Sequence, residues 1–183
     1  MNTPKPIDGF DRICRASGWM STVIAVGIVI AVAVFVWYWS DEALVRRLAL
    51  SAVDEQTPIT LSAQSYWLFL AVKLGELAVY VLGLWIARDL FRSFARGEIF
   101  TEAAARKLRR LGIVVTAIAP TMIIARTAAV LALTIENPDG ERVLAIGISG
   151  TDFAIAVIGI LLSVIGWIML EAARIAEENR QFV

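Results

Sequence analysis

Four long apolar runs, parted by polar stretches, dominate the chain. Residues 18–39 read GWMSTVIAVGIVIAVAVFVWYW, and residues 66–87 read YWLFLAVKLGELAVYVLGLWIA. Residues 111–135 read LGIVVTAIAPTMIIARTAAVLALTI, and residues 153–170 read FAIAVIGILLSVIGWIML. Crossing a hydrocarbon core takes about 20 apolar residues at a rise of about 1.5 Å each, and these runs have that length. None alternates with the period of a barrel strand, and lipid satisfies no backbone polar group, so each is predicted to be a helix. The first run ends in Trp37, Tyr38 and Trp39, an aromatic cluster suited to the membrane interface. It reads as a retained anchor; a cleaved signal has a shorter apolar region and a small-residue cleavage site.

Composition removes the soluble alternative. Apolar residues make up 58% of the 183 and charged residues 19%, with a mean hydropathy of +0.72. Too little polar surface remains to cover a water-soluble core. Seventeen basic residues balance seventeen acidic ones, so bulk charge attracts no nucleic acid. There is no histidine and a single cysteine, Cys14. That composition excludes His/Cys metal centres, disulfides, Cys–His nucleophiles and histidine bases. No phosphate-cradling glycine loop and no nucleophile–base pair is present either. The expectation is a non-enzymatic protein without metal or cofactor.

The distribution of Lys and Arg sets an orientation. Lys5, Arg12, Arg15, Arg88, Arg92, Arg96, Arg106, Lys107, Arg109, Arg110, Arg174 and Arg180 fall on one side, against Arg46, Arg47 and Arg142 on the other. The positive-inside rule then places both termini and the connector 88–110 in the cytoplasm. Residues 40–65 and 136–152 become external loops of a single membrane domain.

The connector is predicted to be helical for most of its length. RDLFRSFAR prolongs the second span until Gly97, a helix stop, and Thr101 caps a helix that enters the third span. The fourth span continues through EAARIAEENR. Outside, DEALVRRLAL reads as an amphipathic piece, TPITLSA as β-compatible, and Asn137-Pro138-Asp139-Gly140 as a hairpin turn. The expected fold is an all-α membrane protein. It is a four-helix transmembrane bundle with short cytosolic helix extensions and a small external cap containing a β-hairpin.

LFRSFARGEIFTEAAARKLRRLG resembles the signature of a bacterial four-span membrane family of unknown function, family 2975 of such domains. The matching positions are Phe91, Phe94, Gly97, Phe100 and Thr101. The tail AARIAEENRQFV is similar to the family's ending through Glu177, Glu178 and Asn179. The family usually carries an Asn shortly after the Thr, where this chain has Ala104 and Ala105. The resemblance implies a bacterial inner-membrane location. It also implies a small cytosolic helix-turn-helix regulator as partner, since such genes look paired.

Several groups invite both a functional and a structural reading. Lys73, Glu76 and Arg126 lie within apolar runs, where an unpaired ion costs at least ~2.5–3.5 kcal/mol. They form either an ion, proton or ligand site, or a structural Glu76–Arg126 clip with Lys73 snorkelling outward. Pro120, with Thr116 and Thr121 beside it, is a predicted kink whose freed carbonyl the hydroxyls re-satisfy. Arg106, Lys107, Arg109 and Arg110 are a surface for a partner or for lipid headgroups, or are neutralised by Glu177 and Glu178. Phe91, Phe94 and Phe100 are core or an exposed patch. Gly159, Ser163 and Gly166 form a small-residue stripe for packing within the bundle or in a homo-oligomer. The functional expectation is a membrane sensor or regulatory partner of a cytosolic regulator. The alternative is a small transporter, channel or immunity-type protein that uses the buried charges.

Overall fold

A computed structural model describes residues 8–51, 62–138 and 144–181, with side chains over 9–51, 62–138 and 144–178. Its elements are α1 (Asp8–Trp39), α2 (Glu42–Ser51), α3 (Ala63–Ala95), α4 (Glu102–Thr134) and α5 (Gly150–Gln181). All but α2 are long and apolar enough to cross a membrane, which makes the chain a multi-pass membrane protein. Each long helix overruns its apolar run. α1, for instance, begins ten residues before Gly18.

Side-chain caps fix where the helices begin. Asp41 Oδ1 accepts from Ala43 N at 2.9 Å ahead of α2, and Ser62 Oγ accepts from Ser65 N at 3.1 Å ahead of α3. Thr101 Oγ1 accepts from Ala104 N at 3.2 Å, so the predicted cap of α4 is in place. The end of α3 is a Schellman motif. Glu98 N donates to Ser93 O at 3.1 Å and Gly97 N to Phe94 O at 3.0 Å, with Gly97 in the left-handed region at φ 82°. A side chain at 97 would strain that turn and press on the Phe10 ring, 3.4 Å from a Cβ there.

The chain divides into two compact units. The first comprises α1 to Ile28, α3 from Leu82, α4 to Thr116 and α5 from Val157; the second comprises the remaining stretches. In the first unit, α4 and α5 meet backbone to backbone. A Cβ on Gly112 would overlap Ser163 N, and one on Gly159 would overlap Thr116 N. A Cβ on Gly166 would fall 2.5 Å from Arg109 N. The stripe Gly159, Ser163 and Gly166 therefore packs within the chain. In the same unit α1 approaches α3 at Gly18, whose Cβ would sit 3.7 Å from Ala95 Cβ.

The second unit has the apolar core. Ala49, Phe69, Ala129, Ala132 and Leu133 are buried together, with Trp39, Leu48 and Val72 packed on them. The amphipathic reading of α2 holds: Val45 and Ala49, one turn apart, are buried, while Arg46 and Arg47 are exposed. Trp39 seats α1 on α3 with its ring 5.4 Å from Tyr66 and 5.8 Å from Phe69.

The expected β-hairpin cap is a correction. Among the described residues there is no strand. Thr134, expected in the hairpin's first flank, is instead the last residue of α4, its hydroxyl donating to Val130 O at 3.0 Å. Asn137 N closes a turn on Thr134 O at 3.1 Å, and 144–149 carries no regular structure. Helical continuation satisfies backbone groups locally, whereas a two-stranded ribbon is marginal on its own. Asp139, Gly140 and residues 57–61 lie outside the described residues.

α4 is the most buried of the spans. Its most apolar window is 28% buried, against 6%, 6% and 11% in α1, α3 and α5, so most of the other surfaces are left to lipid. The glycine contact makes a stability prediction. Gly159→Ala should destabilise the folded state by about 1–3 kcal/mol through overpacking. Gly75→Ala, at a position with open space around it, should be neutral or slightly stabilising. Thermal unfolding in mild detergent reads both. Equal midpoints for the two variants would contradict the contact.

Candidate functional site

The second unit contains the ionisable groups of the apolar runs, and each finds a partner close by. Lys73 Nζ reaches both carboxylate oxygens of Glu76, one turn along α3, at 3.0 and 3.1 Å. It also lies 5.7 Å from the centre of the Phe69 ring. The two side chains are only 19% and 16% exposed, so the ammonium is held in place and does not snorkel. Arg126 Nη2 donates to Asp152 Oδ2, joining α4 to the start of α5. The expected Glu76–Arg126 clip is therefore replaced by two separate pairs. A partner one helical turn away, or at a helix start, is closer than one across the bundle.

Asp152 escaped the sequence reading, yet it had a signal. Ser149-Gly150-Thr151-Asp152 precedes an apolar run with the spacing of a capping box. The box forms: Ser149 N donates to Asp152 Oδ2 at 2.9 Å, and Asp152 N donates to Ser149 Oγ at 3.3 Å. One carboxylate thus caps α5 and neutralises Arg126.

Two crevices open beside these pairs. One, of 280 Å³, is walled by apolar and aromatic side chains including Phe35, Tyr38 and Trp39, and the Lys73–Glu76 pair lies in it. Tyr80 also lines it, and its hydroxyl donates to Met122 Sδ at 3.4 Å. The other, of 310 Å³, is lined by Lys73 and Arg126 together with Leu48, Ser51 and Val130. The charged trio is gathered around neighbouring crevices even though its pairing differs from expectation. Chemically, such walls suit an amphipathic ligand with an anionic or hydrogen-bonding head.

Pro120 sits inside α4, which runs as one helix through it. Thr116 Oγ1 donates to Gly112 O at 2.9 Å and Thr121 Oγ1 to Ala117 O at 2.7 Å. The carbonyl that Pro120 frees belongs to Thr116. The expected rescue of that carbonyl by the two hydroxyls is not made, because each hydroxyl reaches back a full turn from its own position.

In the first unit the connector is braced. Lys107 Nζ on α4 bonds Asp89 Oδ2 at 2.8 Å and Ser93 Oγ at 2.8 Å, both on α3. Arg106 pairs with Glu102 at 2.5 Å. The acids that neutralise Arg106 and Lys107 are thus Glu102 and Asp89, while Glu177 and Glu178 are exposed on α5. Short range within α4, and the facing surface of α3, win over the distant tail. Arg109 and Arg110 are exposed. Phe91 and Phe94 are half-buried and meet edge to face at 6.1 Å, whereas Phe100 is 82% exposed. The aromatic trio divides: two pack and one does not.

Residues 49–182 match the family described as protein of unknown function (DUF2975). The chain belongs to this family. No curated protein and no solved structure matches it. In this DUF2975 chain the motif residues have physical tasks: Gly97 makes the Schellman turn, Thr101 caps α4, and Phe91 and Phe94 pack. Ala104 and Ala105, where an Asn was expected, are fully buried. The side chain of Asn179 lies outside the described residues.

The pairing makes a prediction for a double-mutant cycle. Arg126→Ala should cost about 1.5–3 kcal/mol, the range for a hydrogen bond to a charged group, and fall toward its lower end because Arg126 is itself 39% exposed. It should couple to Asp152→Asn by at least about 0.5 kcal/mol and to Glu76→Gln by less. Unfolding in detergent of the three single and two double variants measures both couplings. Stronger coupling to Glu76 would restore the clip.

Proposed function

We propose that this chain is a non-enzymatic regulatory protein of a bacterial cytoplasmic membrane that docks a small soluble regulator on its α3–α4 connector. Both termini and the connector lie in the cytosol, on the strength of the twelve basic residues gathered on that side. One observation carries the reading. Phe100 stands out of a connector that is capped at both ends and cross-tied by Lys107 to Asp89 and Ser93. A mere link between two spans has no need of such bracing. An exposed aromatic just ahead of α4, with the exposed Arg109 and Arg110 about two turns into that helix, suits an extended acidic surface with an apolar anchor. The resemblance stated above supplies the partner class, a helix-turn-helix regulator. Direct contact with nucleic acid is not part of the proposal.

A second reading, a small transporter or channel, is favoured by the crevice that Lys73 and Arg126 share. The two readings separate by which substitutions matter. A photo-crosslinking residue at Phe100 should capture one soluble protein in intact cells. Arg109→Glu combined with Arg110→Glu should cut that capture at least tenfold without lowering membrane yield. Capture of lipid or of the chain itself alone would overturn the docking reading. Loss of phenotype in Lys73→Met or Arg126→Met, with none in Phe100→Ser, would favour transport.

A further inference from the structure

The charges inside the apolar runs of the second unit are paired; among the described residues, two of the three arginines that line one crevice in the first unit are not. This crevice, of 380 Å³, lies between α1 and α3 and is lined by Gly18, Ser21, Thr22 and Ala25 on one side. Arg88, Arg92, Arg96 and Ala95 line the other. The arginines follow at intervals of four, which places all three guanidinium stems on one face of α3. Like charges at that spacing repel, so the face is unfavourable unless something negative sits against it. Only Arg96 has an acid, Glu98 at 3.2 Å, and its guanidinium also reaches Ser93 Oγ at 3.3 Å. The neighbouring Asp89 is taken by Lys107. Among the described residues Arg88 and Arg92 have no ion-pair partner.

Arg88 is the decisive group. Its guanidinium carbon lies 5.5 Å from the centre of the Trp85 ring, which holds the head in place. Its Nε is buried and makes no hydrogen bond. Buried donors without an acceptor are rare in folded chains, and the side chain that carries this one lines the crevice. The α1 wall is built of small residues, which leaves space in front of the guanidinium forks. Ser21, buried, and Thr22 line the opposite wall; the Thr22 hydroxyl donates to Gly18 O at 3.2 Å and must turn from that carbonyl to donate to a ligand. Planar guanidinium forks with hydroxyl-bearing residues on the opposite wall match the oxygens of a phosphate group.

We propose that the α1–α3 crevice is a phosphate-binding site in which Arg88 and Arg92 grip a phosphoryl group and Ser21 and Thr22 face it. The phosphoryl group comes either from a lipid headgroup or from a soluble phosphate compound. The site shares no residue with Phe100, Arg109 and Arg110 or with the lining of the Lys73–Glu76 crevice, so it stands or falls apart from the functional reading above.

The test uses the full chain in micelles of a maltoside detergent, which carries no phosphate. One arm titrates inorganic phosphate and glycerol 3-phosphate; the other adds phosphatidic acid to the micelles. Native mass spectrometry counts bound phosphate or lipid. Saturable binding of one equivalent in the first arm identifies a soluble ligand, and in the second a headgroup. Arg88→Gln should weaken either by tenfold or more. Arg92→Gln, an exposed position where folding is safe, should weaken it severalfold. Arg46→Gln combined with Arg47→Gln removes two exposed positive charges outside the crevice and should leave binding unchanged. Absence of saturable binding in both arms overturns the proposal. So does an equal loss in the Arg46/Arg47 control, which would reduce the effect to general charge.

Discussion

Close approach of helices at small residues, within a single chain, is the constraint on which the rest depends. In lipid the hydrophobic effect does not draw one apolar helix to another, and packing contacts have to hold the bundle. Gly112, Gly159 and Gly166 bring α4 and α5 to backbone distance in the first unit, and Gly18 lets α1 come close to Ala95 on α3. The α1–α3 approach creates a crevice walled on one side by small residues and on the other by arginines. Larger residues at Gly18 or Ala25 would fill it. The same economy of size thus gives both the packing and the space.

Charge is handled differently in the two units. In the second, Lys73 and Glu76 neutralise one another within α3, and Arg126 takes the carboxylate that already caps α5. Lone ions among apolar spans would be expensive, and local pairing removes that expense without a long-range contact. In the first unit, Lys107 and Asp89 bind α4 to α3, and Arg106 is satisfied by Glu102. Among the described residues, Arg88 and Arg92 in their crevice and Arg109 and Arg110 on the surface of the first unit have no ion-pair partner, and neither do the exposed Arg46 and Arg47 of the second. In the first unit such charge thus sits in two settings, one concave and one exposed.

Much of this was legible in the residues. The four spans follow from length and hydropathy, and Gly97 and Thr101 announced the turn and cap that they make, because both signals are local. The stripe Gly159, Ser163 and Gly166 was visible as spacing, although which helix it meets was not. The pairing of Arg126 was missed because depth along a span says which charges are level, not which is nearest in space. A capping box at Ser149–Asp152 was the available clue. The hairpin reading rests on β-compatible residues at 134–136 and 141–149. Such residues also tolerate a helix end, and the helix satisfies its backbone groups without a partner. The α1–α3 crevice was invisible, since its arginines read as topology signals until α1 was seen to lie against them.

The central claim is that the spans of one chain pack on each other through small residues, α1 against α3 included. The most direct measurement is oxidative crosslinking of a Gly18→Cys/Ala95→Cys chain in native membranes, with Cys14→Ser to remove the native thiol. The positions are matched to a disulfide, with 3.7 Å between the Cβ of a residue at 18 and that of Ala95, against the roughly 3.5–4.5 Å such bonds require. The account predicts rapid and nearly complete crosslinking within the monomer. Thiols that stay free, or bonds that form only between chains, would contradict it.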